Sequence, residues 1–433
     1  MDFLFDIPYV VRVLSTLVFI LIVNKLIKQL ILSLLIGAIA LALWCGHPLA
    51  TIVSISWERF SGLDNLLLML VVSQVIWLST QMAKTGTMTE LVNAVRTLVS
   101  QRAAMAVLPA VIGLLPMPGG AIFSAPLVDD CDREKNIEPI LKTTINFWFR
   151  HIWEYWWPLY PGVLMAIAIT GLPMPTFMLM QLPLSLLSVF AGYIFLLRKI
   201  KNSNGAARGG ERKRAILKKI FALLMPIIVI ITAYTLIRLF LPVLANTNKY
   251  LPMITGIFLA QVFLQVRRPL SLPDWRKILF SKKALIMALL AGVIRVYGAF
   301  IEAQLSDGAL LMAHVRNELS LWNIPLLLVM IAIPFISGIA TGIAIGFVGA
   351  SFPIVMSLMG TNPTYGTLLS TTLLAYASGY VGMLLSPVHV CLIVTNEHFK
   401  TSLGGSILKL CRPAAIIVAG SVGFYFLIRY VIF

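Results

Sequence analysis

The residues best equipped for chemistry stand together in the run NFWFRHIWEYWWPLYPG, which carries Asn146, Arg150, His151 and Glu154 among tryptophans and tyrosines. Ionisable groups inside an apolar segment are costly and functional by default. Arg150 and Glu154 are four residues apart on one helix face, which suits either a local ion pair or an Arg150 that takes a substrate anion. His151 faces elsewhere and titrates nearest neutrality, so it is either a proton carrier or a structural hydrogen-bonding group. The aromatic residues either line a pathway or form a belt at headgroup depth. A second interrupted run, TTLLAYASGYVGMLLSPVHV, offers Thr371, Thr372, Ser378, Tyr380, Ser386 and His389. Pro387 cannot continue a helix there, and the carbonyls it releases can face a cation or a substrate.

Two further stretches break in their middles. GLLPMPGGAIFSAPLVDD (113–130) and IPFISGIATGIAIGFVGASFPIV (333–355) put prolines and glycines where a membrane helix should be smooth. An unpaired backbone group in hydrocarbon costs several kcal/mol, so such breaks survive only where protein or a water-filled cavity supplies partners. Read as re-entrant hairpins, they present tips at Pro116, Pro118, Gly119 and Gly120, with Ser124 beyond, and at Ser337, Gly338, Thr341 and Gly342. The second arm of each hairpin starts with its positive dipole end toward the tip, and glycine lets a ligand approach the backbone. Two tips and two broken helices facing one point make a site for a small anion, with exposed carbonyls for a coupling cation.

Enzyme signatures are absent: there is no H-E-x-x-H, no G-x-S-x-G and no phosphate-binding loop. His151 and Glu154 form only an H-x-x-E pair, short of a metal ligand set. No catalytic residue, metal ligand or cofactor is therefore expected, and the chain is not read as an enzyme. The four cysteines, Cys45, Cys131, Cys391 and Cys411, have no pairing or zinc spacing and are read as small buried hydrophobes.

The elements that must hold these residues follow from hydropathy. Of 433 residues, 59% are hydrophobic and 12% charged, which excludes an ordinary soluble domain. The fold class expected is an all-α polytopic membrane protein. Spans are expected at 8–24, 29–46, 64–83, 141–172, 175–197, 220–242, 249–266, 283–303, 364–396 and 412–431, with hairpins at 103–129 and 323–358. Asp2 and Asp6 stand where a secretory signal would be basic, so the first run is expected to be a retained span. The net charge of +17 reflects positive-inside sorting rather than nucleic-acid binding. With the basic linker at 201–219 inside, Lys25, Lys28, Lys84 to Arg102, Arg267 to Lys283 and Lys400 to Arg412 also fall inside. Arg59, Lys249 and Arg316 remain outside, as do both termini.

The linker separates residues 1–200 from 220–433, and the halves repeat at an offset of about 220 residues in opposite orientation. A short amphipathic helix starts near Gly86 and again near Gly308. Pro109 then aligns with Pro334, Gly113 with Gly338, and Pro126 with Pro353.

The paired PMPGGAIFSAP and ATGIAIGFVGASFP hairpins, with GYVGMLLSPVHVCLIVTNEHF closing the second copy, resemble the uncharacterised integral-membrane family called domain of unknown function 401. That family is grouped with the ion transporter superfamily of citrate, dicarboxylate, gluconate and arsenite carriers. The resemblance implies two inverted repeats, a homodimeric scaffold and an elevator-type transport domain. The Ser-Asn-Thr tips that bind sodium and carboxylate in dicarboxylate carriers are replaced here by PMPGG and SGIATG. This shifts the expected coupling ion from sodium toward a proton, with His151, Glu154 and His389 as its carriers. The expectation is thus a secondary active transporter of a small organic anion in a prokaryotic cytoplasmic (inner) membrane. The alternative is an intramembrane enzyme or lipid-handling protein that holds a lipid-linked substrate in the Trp-rich cleft.

Overall fold

The computed structural model describes residues 7–116, 120–132, 134–200 and 210–432, with only the backbone of 210–213. Pro118 and Gly119 of the expected first tip, and much of the basic linker, lie outside the described residues. The chain is helical throughout, and among the described residues the only β pairing recorded is an isolated bridge between Gln304 and Leu310.

The first half begins with α1 (Tyr9–Ile27) packed on α2 (Leu30–Trp44), then α3 (Leu49–Ser61) and the long α4 (Leu63–Lys84). The amphipathic α5 (Thr87–Arg96) leads into two half-length helices, α6 (Gln101–Gly113) and α7 (Gly120–Cys131), packed on one another. Next come α8 (Pro139–Arg150) and α9 (Pro161–Thr170), the two parts of the interrupted run at 141–172, and α10 (Met174–Gly192), which continues as a π turn over Tyr193–Leu197. The second half contains α11 (Gly210–Phe240), α12 (Pro242–Thr247), α13 (Leu251–Arg267), α14 (Leu272–Leu279) and α15 (Lys282–Ile301). It goes on with the amphipathic α16 (Leu311–Leu321), the adjoining α17 (Leu326–Thr341) and α18 (Ala344–Leu358), the interrupted α19 (Tyr365–Leu384) and α20 (Val390–Phe399), and α21 (Leu403–Leu427).

Among the described residues, seven helical stretches are long and apolar enough to cross a bilayer, or eight if the bent pair α16 and α17 is one span. The apolar α2, α6, α9, α13 and α18 are shorter. Thirteen residues, the length of α6, rise only about 20 Å, less than a hydrocarbon core of about 30 Å. Large apolar side chains stay exposed on the outer faces, among them Val18 and Phe19 on α1, Leu186 and Phe190 on α10, and Leu408 on α21. Such a surface suits lipid, and the pattern marks a membrane protein.

Each interruption has a local cause. α17 ends where Gly342 takes φ +64° and its N–H closes onto the Gly338 carbonyl at 2.9 Å, a left-handed cap that favours glycine. α9 begins with Pro161, pre-set for the first helical position. α19 stops at Leu384, before the Ser386-Pro387 pair. Gly338 serves packing rather than a tip: a Cβ there would stand 2.1 Å from the Gly379 carbonyl oxygen. One at Gly382 would stand 2.2 Å from the Phe335 oxygen, so α17 and α19 cross backbone to backbone.

Polar side chains fasten the ends of the bundle. Both oxygens of Glu318 accept the first N–H groups of α1, at 2.8 Å from Tyr9 and 2.7 Å from Val10, placing a carboxylate on a positive helix end. Gln81 donates to the Gln261 carbonyl at 3.0 Å, joining α4 to α13. Arg295 donates to the Ala168 carbonyl at 3.3 Å, while Glu302 pairs with Arg59 at 3.5 Å. Of the cysteines read as buried, only Cys131 is fully so; Cys45 and Cys391 are half-buried and Cys411 is exposed. The exposed thiol follows from its place on the outer face of α21, where an apolar environment needs no burial by protein.

Candidate functional site

α8 delivers its last residue, Arg150, and the turn that follows, 151–160, into the middle of the molecule. Arg150 is 2% exposed. Its guanidinium lies against the first residue of α7, where a Cβ on Gly120 would be 2.3 Å from the Arg150 NH2 nitrogen. A Cβ on Gly113, at the end of α6, would stand 2.0 Å from the Arg150 carbonyl oxygen. The two glycines of the first hairpin are therefore the clearance through which α8 and its cation pass.

Beside it, His151 Nδ1 is 2.6 Å from the Phe147 carbonyl oxygen, which can only accept, so that nitrogen carries a proton. His151 Nε2 is 3.1 Å from His389 Nε2. In the neutral pair His389 then donates, and its tautomer is set by the Phe147 carbonyl two hydrogen bonds away. The rings meet edge to face, with centroids 4.9 Å apart. Glu154 Oε1 stands 3.8 Å from His151 Nε2.

The carbonyls released by the 151–160 turn do not stay bare. Tyr380 donates its hydroxyl to the His151 carbonyl at 2.5 Å, Tyr376 to that of Glu154 at 2.8 Å, and Ser185 to that of Ile152 at 2.5 Å. The C-terminal carbonyls of α6 are served from the other direction. Trp153 Nε1 donates to Ala110 at 2.8 Å, Trp157 Nε1 to Leu114 at 3.0 Å, and the Tyr160 hydroxyl to Gly113. All three aromatic residues have their polar atoms committed to the end of α6, and Tyr160 also faces the neighbouring cavity. They satisfy the orphan groups of a helix that stops inside the bundle.

A cavity of about 330 Å³ opens where these parts meet. Its polar lining is Arg150, His151, Glu154, Tyr160 and His389, with Lys283 of α15. Three helices present their first residues to it: Pro161 and Gly162 of α9, Ala344 and Ile345 of α18, and Val390 and Cys391 of α20. Each such end carries a partial positive charge of about half a unit, so helix dipoles add to the Arg150 charge.

Of the site residues expected from sequence, Pro116, Arg150, His151, Glu154, Gly342 and His389 line this cavity, and Gly120 borders it through Arg150. Most of the other described ones have donors committed elsewhere, while Ser337 Oγ is buried without a hydrogen-bond partner. Asn146 donates to Thr395 at 3.2 Å, and Thr341 donates to the Ser337 carbonyl at 2.8 Å. Ser378 donates to the Leu374 carbonyl at 2.7 Å and Ser386 to the Ile339 carbonyl at 2.6 Å. Ser124 reaches the Ala121 carbonyl at 3.5 Å. Ser337 is buried, Pro387 is exposed, and Tyr380 acts through the turn it caps. Sequence reasoning missed Lys283, Tyr160 and Cys391. Lys283 ends a basic loop and reads as topology, and Cys391 reads as a plain hydrophobe. Only their positions one helix turn or less from a break could have flagged them.

His151, His389 and Cys391 could also be asked to hold a metal, since their ligand atoms lie within 4.8 Å of one another. Bonds of about 2.0–2.3 Å at tetrahedral angles set ligand atoms about 3.3–3.8 Å apart. The imidazole pair is close to this spacing as a hydrogen bond, the wider set exceeds it, and the Arg150 cation lines the same cavity.

Long apolar helices around a buried, charged cavity at the meeting of two interrupted runs define a polytopic helical membrane protein. Residues 10–428 match the family described as protein of unknown function (DUF401), and the chain belongs to that family. No curated protein matches it.

Proposed function

We propose that the protein is a secondary active transporter of a small organic anion, with Arg150 as its principal ligand. The observation that carries this reading is the convergence of Arg150 and three helix N-termini on one cavity bounded by both interrupted helices. The two halves support it further: α4, α5, α6–α7 and α8–α9 recur in order as α15, α16, α17–α18 and α19–α20. In this reading they are inverted repeats, and α6–α9 with α17–α20 form a body that moves past a homodimeric scaffold containing α4 and α15, as an elevator. The basic linker lies in the cytoplasm of a prokaryotic cell, both termini lie outside, and Lys283 marks the cytoplasmic mouth of the cavity.

The hydrogen-bonded His151 and His389, with Glu154 alongside, are the coupling group, and the coupling ion is a proton. One proton added to the pair changes the charge beside Arg150 and hence the affinity for the anion. A thermal-shift screen of phosphate, sulfate and mono-, di- and tricarboxylates at two pH values, with and without sodium, tests the assignment. An anion at 100 times its Kd should add about 2.7 kcal/mol of apparent stability. The same anion should then enter proteoliposomes saturably, driven by a pH gradient. Binding by no anion, or stoichiometric zinc in the purified protein, would instead favour a metal-dependent enzyme using the histidine cluster.

A further inference from the structure

We infer that the transported anion is a monocarboxylate with an apolar body, of the short fatty acid or arylacetate kind, rather than a polycarboxylate or a sugar acid. This rests on the anion-transporter reading and narrows it. The polar groups of the cavity are concentrated in the 150–160 segment and His389, with a second cation, the half-buried Lys283, at the start of α15. Apart from the Cys391 thiol, the rest is hydrocarbon or thioether: Ile76 and Met287 come from α4 and α15, Ile343 and Ile345 from the start of α18, and Met383 and Val390 from α19 and α20. A hydroxyl or second carboxylate set against those side chains would lose water and gain no partner. The polar pole itself admits one carboxylate. Arg150 offers the fully buried positive charge, Lys283 is only half-buried, and Glu154 in the same lining opposes a second negative charge beside Arg150. His151 and Tyr160 already have carbonyl partners at Phe147 and Gly113, so few donors remain for sugar hydroxyls. Size agrees. About 330 Å³ is at the small end of ligand pockets and matches roughly eleven water volumes, hence a ligand of about ten non-hydrogen atoms.

The test is binding by calorimetry to the full chain in nanodiscs, using acetate, butyrate, hexanoate, phenylacetate, succinate, citrate and gluconate. Affinity should climb about fourfold per methylene from acetate to hexanoate, the increment for burying a methylene group. Phenylacetate should bind like hexanoate, and citrate and gluconate at least tenfold more weakly. Met287→Gln, close in size, should weaken hexanoate about tenfold more than it weakens acetate. Arg150→Gln should weaken binding of both about 10- to 150-fold. Succinate, citrate or gluconate binding as tightly as hexanoate overturns the inference and leaves the transporter reading in place. Hexanoate binding that is undiminished in Arg150→Gln, or is untouched in Met287→Gln, is partition into the bilayer and also overturns it. Failure of all seven, together with no response to phosphate or sulfate, removes both readings.

Discussion

The two interrupted helices meet at one cavity, yet they bring different chemistry to it. The α8–α9 break carries Arg150, His151 and Glu154. The α19–α20 break contributes one imidazole, His389, while its nearest hydroxyl, Ser386, is spent on the Ile339 carbonyl at 2.6 Å. α19 gives instead the two tyrosines that hold the first break in shape. The two breaks thus divide the labour: one supplies charge and the other supplies the frame that makes a charged, broken helix tolerable in a low-dielectric interior.

The largest effect should separate these roles directly. Arg150→Gln removes a charge-assisted hydrogen-bond donor worth about 1.5–3 kcal/mol, and should weaken anion binding about 10- to 150-fold. Ser386→Ala removes a clamp on α17 and should change binding less than fivefold. Calorimetry on both variants, with circular dichroism to confirm the helices, measures the contrast. A greater loss in Ser386→Ala would reverse the assignment of the two breaks.

A glycine from each half sharpens it. The neighbour of a Cβ on Gly342 is backbone, His389 N and the Val388 carbonyl carbon at 3.0 Å, and φ is already +64°. Alanine there should destabilise the fold by about 1–3 kcal/mol. A Cβ on Gly120 meets the far end of the Arg150 side chain at 2.3 Å, which can swing aside. Gly120→Ala should leave chemical denaturation nearly unchanged and cut anion affinity tenfold or more. Equal stability losses in the two variants would mean that the first hairpin is as rigid a frame as the second.

The tyrosine clamps come next. Tyr380→Phe leaves the His151 carbonyl without its hydroxyl donor, and Tyr376→Phe does the same to Glu154. Each should cost about 1–2 kcal/mol of stability, because a buried acceptor is stranded. Neither should alter which anion is preferred, as measured by competition binding.

The helices and their breaks were legible because hydropathy and proline or glycine punctuation act locally. The run at 103–129 resolves into α6 and α7, and 323–358 into α17 and α18. The charged cluster was legible for the same reason, since Arg150, His151 and Glu154 are neighbours in the chain. What pairs them was not. Tyr376 and Tyr380 reach carbonyls 222 and 229 residues away, and nothing in their own helix marks them as caps. The tryptophans misled because an indole N–H donating to a buried carbonyl and one lying at a membrane surface have the same local sequence. Gly338 looked like a tip because close helix crossing and re-entrant turns both select glycine.

The smallest effect lies at the rim, and it tests whether the frame extends beyond the breaks. Glu90 on α5 pairs with Arg268 at 2.7 Å and Lys219 at 3.6 Å, tying α5 to the ends of α13 and α11. The hydrogen bond from Arg268 lowers the Glu90 carboxyl below its ordinary value of 4.5. A depressed carboxyl stabilises the fold above its unfolded value and loses that contribution as pH falls through its folded one. The contribution is therefore complete at neutral pH and fades only below about 4.5. The groups are well exposed, so solvent screening keeps the gain under about 1 kcal/mol. Glu90→Gln should lower the denaturation midpoint slightly at pH 7 and not at pH 3, and should leave anion affinity at the α8–α9 break untouched. If affinity falls with it, α5 belongs to the frame of the site rather than to its periphery, and the division between charged break and supporting break would have to include the first hairpin's approach helix.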